Sequence, residues 1–341
     1  MDRVAVVILN WNGADMMRKY LPGVLECTEV TAGAQVYVAD NGSTDESLEM
    51  VTTLFPTVKQ VRLDKNYGFA EGYNRALEKV DAEYYVLLNS DVEIRDAGWL
   101  QPLLDYMDVH HDVGACQPKL LALREEGRFE YAGASGGFLD RYGYPFCRGR
   151  IFDNVENDNG QYDDVSSLLW ATGACLMVRS EVYWRVGGLD GDFFAHMEEI
   201  DFCWRMRGMG MKVVCIPSSK VYHLGGATLS KENPRKTYLN FRNNRLMLYK
   251  NLPDKELNWV MGVRFILDVV AALQYLVKGH FGDARAVFDA LRDFRKMKPQ
   301  YVQRRKQIQS SRVEDPAERR RFLLLWQYHV HGRRTFNSLP Q

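Results

Sequence analysis

The stretch VAVVILNWNG, residues 4–13, determines the fold class predicted for this chain. Its first six residues, Val4 to Leu9, are β-branched or aliphatic without a polar interruption. A run of this kind is typical of a strand buried on both faces, as in the parallel sheets of α/β proteins. Asn10, Asn12 and Gly13 follow at once, so a polar turn is predicted at the carboxyl end of that strand.

Strand and helix signals alternate after this stretch. Helices are predicted over 15–25, 45–55 and 72–80, and short strands over 36–39, 58–63 and 84–88. The alternation indicates an α/β fold with an open, mostly parallel sheet flanked by helices. Ligands of such sheets bind beyond the carboxyl ends of the strands. The polar segments at these ends are 10–13, 40–45, 64–70 and 89–91. Any one of them could be ordinary turn chemistry, but four at one sheet edge favour a binding site.

Composition narrows the class of protein. The 341 residues are 46% hydrophobic and 26% charged, which allows one large domain or two. The 44 basic and 44 acidic side chains cancel, so we expect no nucleic-acid partner. The six cysteines form no CxxC pair, which favours buried thiols in a reducing cytoplasm. Val4 to Leu9 is too short for a signal-peptide core, so a cytoplasmic location is expected.

The C-terminal part differs from the rest of the chain. We predict a domain over 1–252, with a donor half at about 1–100 and an acceptor or catalytic half at about 101–230, followed by a helical, basic region over 253–341. The apolar stretch 257–277 contains Arg264 and Asp268, which are costly at a bilayer centre, so an amphipathic helix is predicted. Two alternatives stay open for this region: peripheral contact with the inner membrane surface, or a solvated helical face.

The middle of the chain is less regular. Residues 129–164 are rich in Gly, Tyr and Asp, which predicts irregular hairpins or a mobile loop over the site. Residues 170–178 have an apolar, strand-like pattern, and residues 198–208 have helical spacing.

Six segments carry a family resemblance. They are VAVVILNWNG (4–13), VYVADNGSTD (36–45), NYGFAEGYNRA (66–76), YYVLLNSDVEI (84–94), WATGACLMVR (170–179) and MEEIDFCWR (197–205). In this order they resemble the family 2 inverting glycosyltransferases, most of all their bacterial rhamnosyltransferase-like branch. The resemblance covers about residues 1–250. It implies a GT-A fold, a nucleotide-sugar donor and single-displacement chemistry.

The resemblance implies a donor site at the carboxyl edge of the sheet. Asp40 matches the aspartate with which the family accepts a hydrogen bond from the base, and Asp64 and Asn66 are expected near the base or ribose. Gly68 would let the backbone approach the donor closely, unless it serves turn geometry alone. The expected donor-binding residues are Asn10, Asn12, Asp40, Asn41, Asp64, Asn66, Gly68, Asn74, Asn89, Ser90 and Asp91.

The same resemblance implies a divalent metal, Mg²⁺ or Mn²⁺. Asn89-Ser90-Asp91 stands where the family has its DxD signature, whose carboxylates hold the ion against the diphosphate. Because the first acid is an amide here, Asp91 is the expected anionic ligand. His223 matches a position where relatives often carry a histidine ligand, although a lone histidine is more often structural.

The acidic segment Glu198-Glu199-Ile200-Asp201 implies the general base that deprotonates the acceptor. In many relatives the segment has Glu-Asp and the second acid is the base, which maps to Glu199. The longer side chain leaves Glu198 as an alternative. Asp201 is assigned to the acceptor side or to a salt bridge with Arg205, four residues later on a helix.

Trp170 and Gly173 are the other acceptor-side candidates that the resemblance implies. An indole suits the C–H face of a sugar, but Trp170 could equally belong to the core.

These observations predict an inverting glycosyltransferase that moves rhamnose or a hexose from a nucleotide-diphosphate donor to an acceptor hydroxyl. The acceptor would be a saccharide or lipid-linked saccharide of a bacterial surface polysaccharide. Two alternatives remain. A nucleotidyltransferase would need a Gly-rich phosphate loop, and neither GxxxxGK[ST] nor GxGxxG follows the first strand. A non-catalytic nucleotide-sugar-binding scaffold remains open because of the departures at Asn89 and Glu199.

Overall fold

A computed structural model describes residues 1–225 and 233–340. The strands are β1 (Asp2–Asn10), β2 (Ala34–Asn41), β3 (Lys59–Leu63), β4 (Ala82–Leu88), β5 (Val92–Glu93), β6 (Val113–Ala122), β7 (Gly137–Leu139), β8 (Pro145–Cys147), β9 (Arg150–Ile151), β10 (Asn154–Val155), β11 (Ser166–Leu168), β12 (Cys175–Arg179) and β13 (Lys212–His223). The helices are α1 (Ala14–Glu29), α2 (Ser47–Leu54), α3 (Gly68–Leu77), α4 (Gln101–Val109), α5 (Ser180–Val186), α6 (Glu198–Gly208), α7 (Pro234–Asn251), α8 (Asp254–Val277), α9 (Phe281–Met297), α10 (Tyr301–Ser311) and α11 (Leu324–His329).

The central sheet has the order β11-β13-β6-β12-β4-β1-β2-β3, with β5 paired to the end of β13. The half of the sheet formed by β1 to β4 is parallel: β1 pairs with β2 and β4, and β2 pairs with β3. Val4 to Val7 are fully buried because helices cover both faces of this half. The predicted α/β fold with an open, mostly parallel sheet flanked by helices is confirmed.

The direction of one strand in the sheet was not predicted. β12 lies between β4 and β6 and is antiparallel to both. The strand-like segment predicted from Trp170 therefore begins only at Cys175, after a turn in which the Ala174 carbonyl accepts from the Asn89 amide at 3.0 Å. This insertion places the Thr172–Ala174 turn beside the end of β4.

The irregular segment 129–164 folds as a small antiparallel sheet in the order β10-β9-β8-β7. Its hairpins are short, since each strand has only two or three residues. The prediction of irregular hairpins is thus confirmed. The six cysteines are all buried and unpaired, as expected.

The C-terminal region is helical, as predicted, with α8 and α9 packed on each other and on α7. Leu252 is buried at the junction of α7 and α8. The proposed inner boundary at about residue 230 lies outside the described residues. Within the described part of the chain, α8 is the single helix whose length and composition would allow it to cross a membrane.

Candidate active site

The loops after β1 and β2 meet at the carboxyl edge of the sheet. Asn10 and Asp40 are register partners, and the Asn10 amide donates to Asp40 Oδ1 at 3.4 Å and to Ser43 Oγ at 3.3 Å. The Ser43 backbone N–H donates to Asp40 Oδ2 at 3.0 Å. Asn10 Oδ1 is buried and has no hydrogen-bond partner within the described residues. An unsatisfied buried oxygen is costly, so this atom is suited to accept from a ligand.

Asn12 joins the same two loops from outside. It has a left-handed backbone, with φ of 51°, and its Oδ1 accepts from the Thr44 amide at 2.7 Å. Beside Asn12, the Trp11 side chain is half exposed at the carboxyl edge of the sheet. The predicted donor residue Asn12 therefore holds the loop itself, and Trp11 is an exposed aromatic ring that the sequence analysis did not single out.

Two predicted donor residues form hydrogen bonds within the protein. The Asn41 side chain accepts from the Tyr67 amide at 3.0 Å and donates to the Gly68 carbonyl at 2.9 Å. The Asn74 side chain donates to Leu189 O at 2.8 Å and accepts from Tyr183 Oη at 2.7 Å. Both side chains therefore hold the fold, and their assignment to the donor stays a prediction.

Gly68 also has an internal role. Its φ is +80°, and a Cβ there would lie 2.5 Å from the ring of Phe194. The absent side chain therefore makes room for the loop that precedes the acidic helix, which corrects the expectation that it makes room for the donor. Asn66 caps the same turn, since its Oδ1 accepts from the Gly68 amide at 2.8 Å. Asp64 stays exposed, with one oxygen accepting from Tyr67 Oη at 2.7 Å.

The residues after β4 face the end of β13. His223 Nε2 lies 3.1 Å from Asp91 Oδ1 and 3.4 Å from the Asn89 amide nitrogen. On the other side of the ring, Nδ1 lies 3.2 Å from Glu130 Oε1. Ser90 is partly exposed beside Gly13. The structure thus brings together the predicted pair Asp91 and His223 and adds the buried Glu130.

The electrostatics of this cluster favour a cation. Burial alone would lower the pKa of His223, but the contacts with Asp91 and Glu130 outweigh it and raise the pKa to about 10. Burial likewise opposes ionisation of Asp91, yet His223 holds the pKa of that carboxyl below its usual value. Two carboxylates around one imidazole are matched by positive charge, which a proton or a metal ion can supply.

Asp91 and His223 fit two neighbouring ligands of a metal ion. Two donors about 2.1 Å from a six-coordinate ion, at right angles, lie about 3.0 Å apart, and the observed Oδ1 to Nε2 distance is 3.1 Å. Glu130 on Nδ1 would fix the ring tautomer, as outer carboxylates do for metal-bound histidines. The described residues contain no group of three or more side chains that could hold an ion by themselves. An ion here would therefore need further ligands from the donor diphosphate or water.

The acidic segment begins α6. Met197, with φ of 72°, precedes the helix, and Glu198 and Glu199 form its first turn. Burial raises the pKa of Glu199 to about 7, against the backbone amides of Glu199 and Ile200, which lower it. Burial and the charges of Glu199 and Asp201 raise the pKa of Glu198 well above its usual value. The Oε2 atoms of both glutamates are buried without a hydrogen-bond partner among the described residues.

The loop before α6 is strained and tightly held. Phe194, His196 and Met197 all have φ between 65° and 72°, a region that non-glycine residues rarely adopt. The Asn243 amide of α7 lies within 2.9 Å of the carbonyl oxygens of Phe193, Ala195 and His196. Strained backbone persists only where the surroundings hold it, and it clusters at active sites. Together with Arg242, which donates to the carbonyl oxygens of Asp192 and Phe193 at 2.8 and 3.0 Å, Asn243 holds this loop.

The start of α3 is in direct contact with the loop that precedes α6. The Phe69 amide donates to the Phe194 carbonyl at 2.6 Å, at the start of α3. A Cβ on Gly173 would lie 3.2 Å from the Phe69 ring and 3.8 Å from Glu199 Cβ. Gly173 therefore lies beside Glu199, and its role toward the acceptor stays a prediction.

Two other acceptor predictions are corrected. Trp170 is 2% exposed, its Nε1 donates to Phe138 O at 2.9 Å, and its indole lies against Gly137. The ring is thus part of the core. Asp201 is fully buried and accepts from Arg205 at 2.9 Å and from Lys250 and Asn251 at 2.8 Å each. The alternative stated for Asp201, a salt bridge with Arg205, is the one observed.

The chain is similar to glycosyltransferases of known structure and sequence. The chain has the GT-A fold of glycosyltransferases: it is similar to GalNAc-T7 solved with UDP, GalNAc and Mn²⁺, with a TM-score of 0.57 and 14% identity over 73% of this chain and 48% of that chain. It belongs to glycosyl transferase family 2, whose family model matches residues 5–187. The family predicted from the six segments is thereby confirmed.

Curated relatives carry names from glycan assembly. The O-antigen biosynthesis protein RfbC of Myxococcus xanthus is 24% identical over 222 residues, which are 65% of this chain and 17% of RfbC. The N-acetylglucosaminyl-diphospho-decaprenol L-rhamnosyltransferase of Mycobacterium tuberculosis is 25% identical over 240 residues, covering 65% of this chain and 76% of the relative. The chain therefore spans only a small part of the first relative and most of the second.

Proposed function

We propose that this glycosyltransferase moves rhamnose or a hexose from a nucleotide-diphosphate donor to an acceptor hydroxyl with inversion at the anomeric carbon. The observation that carries the proposal is the pair of glutamates at the start of α6, buried Glu198 and partly exposed Glu199, each with a buried Oε2 that has no hydrogen-bond partner among the described residues. A buried carboxylate without a partner costs stability and suits a site that receives a hydroxyl group. Such groups with shifted pKa values are typical of catalytic acids and bases.

Glu199 is the general base of this proposal. Its pKa of about 7 lets it be ionised near neutral pH and still take a proton, which is the favourable range for base catalysis. Burial and its acidic neighbours raise the pKa of Glu198 well above its usual value. Glu198 is buried, whereas Glu199 is partly exposed and lies beside Gly173. This exposure favours Glu199 as the base, and Glu198 becomes a residue that positions Glu199 or the acceptor.

The reaction is a single displacement. The acceptor oxygen forms a bond to the anomeric carbon while its proton passes to the Glu199 carboxylate, and the nucleoside diphosphate leaves with the electrons of the broken C–O bond. Asp91 and His223 would hold Mg²⁺ or Mn²⁺, which neutralises the charge that develops on the diphosphate. Asp40 and the free Oδ1 of Asn10 are placed to bind the donor at the carboxyl edge of β1 and β2.

The acceptor class follows from the relatives. The mycobacterial relative is named for transfer to a diphospho-decaprenol-linked sugar, and the myxobacterial relative is named for O-antigen biosynthesis. These names support a saccharide or lipid-linked saccharide acceptor in the assembly of a bacterial surface glycan. The cytoplasmic location in this proposal rests on the cysteine pattern of the sequence. The rhamnosyl assignment rests on the mycobacterial name and on the motifs.

A donor-hydrolysis screen tests the proposal. Purified protein is incubated with dTDP-, UDP- and GDP-sugars with and without Mn²⁺, and released nucleoside diphosphate is measured for the wild type, Glu199→Gln and Asp91→Ala. We expect turnover of at least one donor and its loss in both variants. An unchanged rate in both variants would exclude Glu199 and Asp91 from the active site. Thermal stabilisation by a nucleoside diphosphate and Mn²⁺, without turnover of any donor, would favour the scaffold instead.

A further inference from the structure

Helix α8 buries charged side chains and exposes apolar ones, the reverse of an ordinary surface helix. Its buried positions are Val260, Arg264, Asp268 and Ala272, so the charged residues face the protein. Arg264 Nε donates to Asp268 Oδ1, and Arg245 Nε of α7 donates to Asp268 Oδ2, both at 2.7 Å. Asp268 is fully buried and Arg264 nearly so. A helix in water normally places such groups outside, so the environment of the opposite face of α8 needs an explanation.

The outward face of α8 is apolar. We call its exposed large side chains the α8 stripe: Trp259, Phe265, Ile266, Val270, Leu273, Leu276 and Val277. Ile266, Val270 and Leu273 are 61%, 55% and 52% exposed. Between residues 259 and 277 every exposed side chain is uncharged, over a length of about 27 Å at 1.5 Å per residue. Contiguous apolar surface of this length marks an interaction site.

Cations border the α8 stripe. A groove of about 380 Å³ between α8 and α9 is lined by Phe265, Val269, Phe288 and Leu291 and by Arg292, Arg295 and Lys296. Arg292 pairs with Asp289 and Asp293, and Lys296 pairs with Asp293, so Arg295 is the cation of this groove that forms no ion pair within the described residues. The Arg295 guanidinium lies 5.7 Å from the centre of the Phe265 ring. Lys278 is exposed directly after the last residue of the stripe. Apolar side chains edged by lysine and arginine are the pattern of helices that lie in the headgroup region of anionic membranes.

We infer that the α8 stripe inserts into the headgroup and upper acyl region of an anionic bilayer, with α8 parallel to the membrane plane. The apolar side chains enter the acyl boundary, and the bordering cations meet lipid phosphates. The Arg264, Asp268 and Arg245 contacts fix the other face of α8 to the protein, so α8 cannot cross the membrane without exposing this buried charge to lipid. The inference does not depend on which sugar is transferred, or on whether any is.

Vesicle flotation of the full-length chain tests this inference. Vesicles of neutral phosphatidylcholine are compared with vesicles containing one third phosphatidylglycerol, at low and high salt. The test variant combines Ile266→Ser, Val270→Ser and Leu273→Ser, which are exposed and leave the core intact. The matched control combines Val30→Ser, Leu54→Ser and Val109→Ser, whose native side chains are 61%, 54% and 73% exposed at the C-terminal ends of α1, α2 and α4. Far-UV circular dichroism and melting temperature establish that both variants are folded.

We expect the wild type and the control to float with anionic vesicles, tenfold less with neutral vesicles, and less at high salt. The α8 variant should lose at least tenfold in binding. Alkaline carbonate should release the bound wild type, because α8 lies in the interface. Equal flotation of the two variants would overturn the inference, and carbonate-resistant protein would show a spanning helix instead. A wild type that fails to float but forms a dimer, which the α8 substitutions convert to monomer in light scattering, would assign the stripe to a second copy.

Discussion

Replacing Glu199 by glutamine should remove activity and stabilise the protein, with a pH dependence that the buried carboxyl dictates. Burial raises the pKa of Glu199 to about 7 from an ordinary value of 4.5. The folded state therefore binds this proton more tightly than the unfolded state. The contribution of Glu199 to the free energy of unfolding is greatest below about pH 4.5, falls as pH rises toward 7, and is then level. A difference of about 2.5 pKa units corresponds to about 3 kcal/mol.

Because glutamine cannot ionise, Glu199→Gln should not lose this free energy of unfolding as pH rises. We expect the variant and the wild type to have similar stability at pH 4.5 or below, and the variant to be more stable by about 2–3 kcal/mol at pH 8. The same substitution should lower kcat by a factor of about 10² to 10⁴, the usual contribution of a general base. Urea unfolding at pH 4.5, 6, 7 and 8, with a parallel rate assay, measures both effects.

The control for this experiment is Glu49→Gln, since Glu49 is exposed on α2 and should show no such pH-dependent gain. The wild-type kcat/KM should rise with pH up to about 7 and then level off, because the base must be ionised. A stability difference that is the same at every pH, or a Glu199→Gln variant that is less stable at pH 8, would refute the burial argument. Full activity of Glu199→Gln would refute its role as base.

Three further substitutions test the supports of the site. Glu130→Gln, which removes the carboxylate beside His223 Nδ1, should weaken Mn²⁺ affinity by about 10- to 100-fold in a titration of activity, and a change under threefold would contradict its role. Asn243→Ala should lower kcat at least tenfold and cost about 1–3 kcal/mol in unfolding, and an unchanged kcat would mean that the loop keeps its shape without the amide. Lys250 donates to buried Asp190 and Asp201. Lys250→Met removes this shared cation and should cost about 3–5 kcal/mol in urea unfolding, whereas a loss under 1 kcal/mol would contradict the importance of these two ion pairs.

The parallel half of the sheet could be predicted from local sequence. β1, β2 and β4 are short apolar runs that end in Asn or Asp, and both the run and the polar end are visible without any partner. Helix α6 was predicted with the observed bounds because its apolar spacing is helical. The insertion of β12 between β4 and β6 could not be found this way, since pairing between distant strands is absent from local periodicity.

The site was predictable in residue type and less so in role. Asp91 and His223 are 132 positions apart, and the family motifs brought them together correctly. Asp201 was misassigned to the acceptor side because a polar residue in a motif does not reveal whether the fold already uses its hydrogen bonds. Glu130 and Asn243 were missed, since each acts on backbone or side chains more than forty positions away, and no local pattern marks such contacts.

The proposed reaction transfers a sugar with inversion and without a covalent intermediate. Proton NMR of the reaction with an accepted donor, taken before the product anomers equilibrate, measures the configuration at the anomeric carbon directly. The proposed single displacement assisted by Glu199 predicts one product anomer, opposite in configuration to the donor, and no such product from Glu199→Gln. A first product with the configuration of the donor would contradict the account.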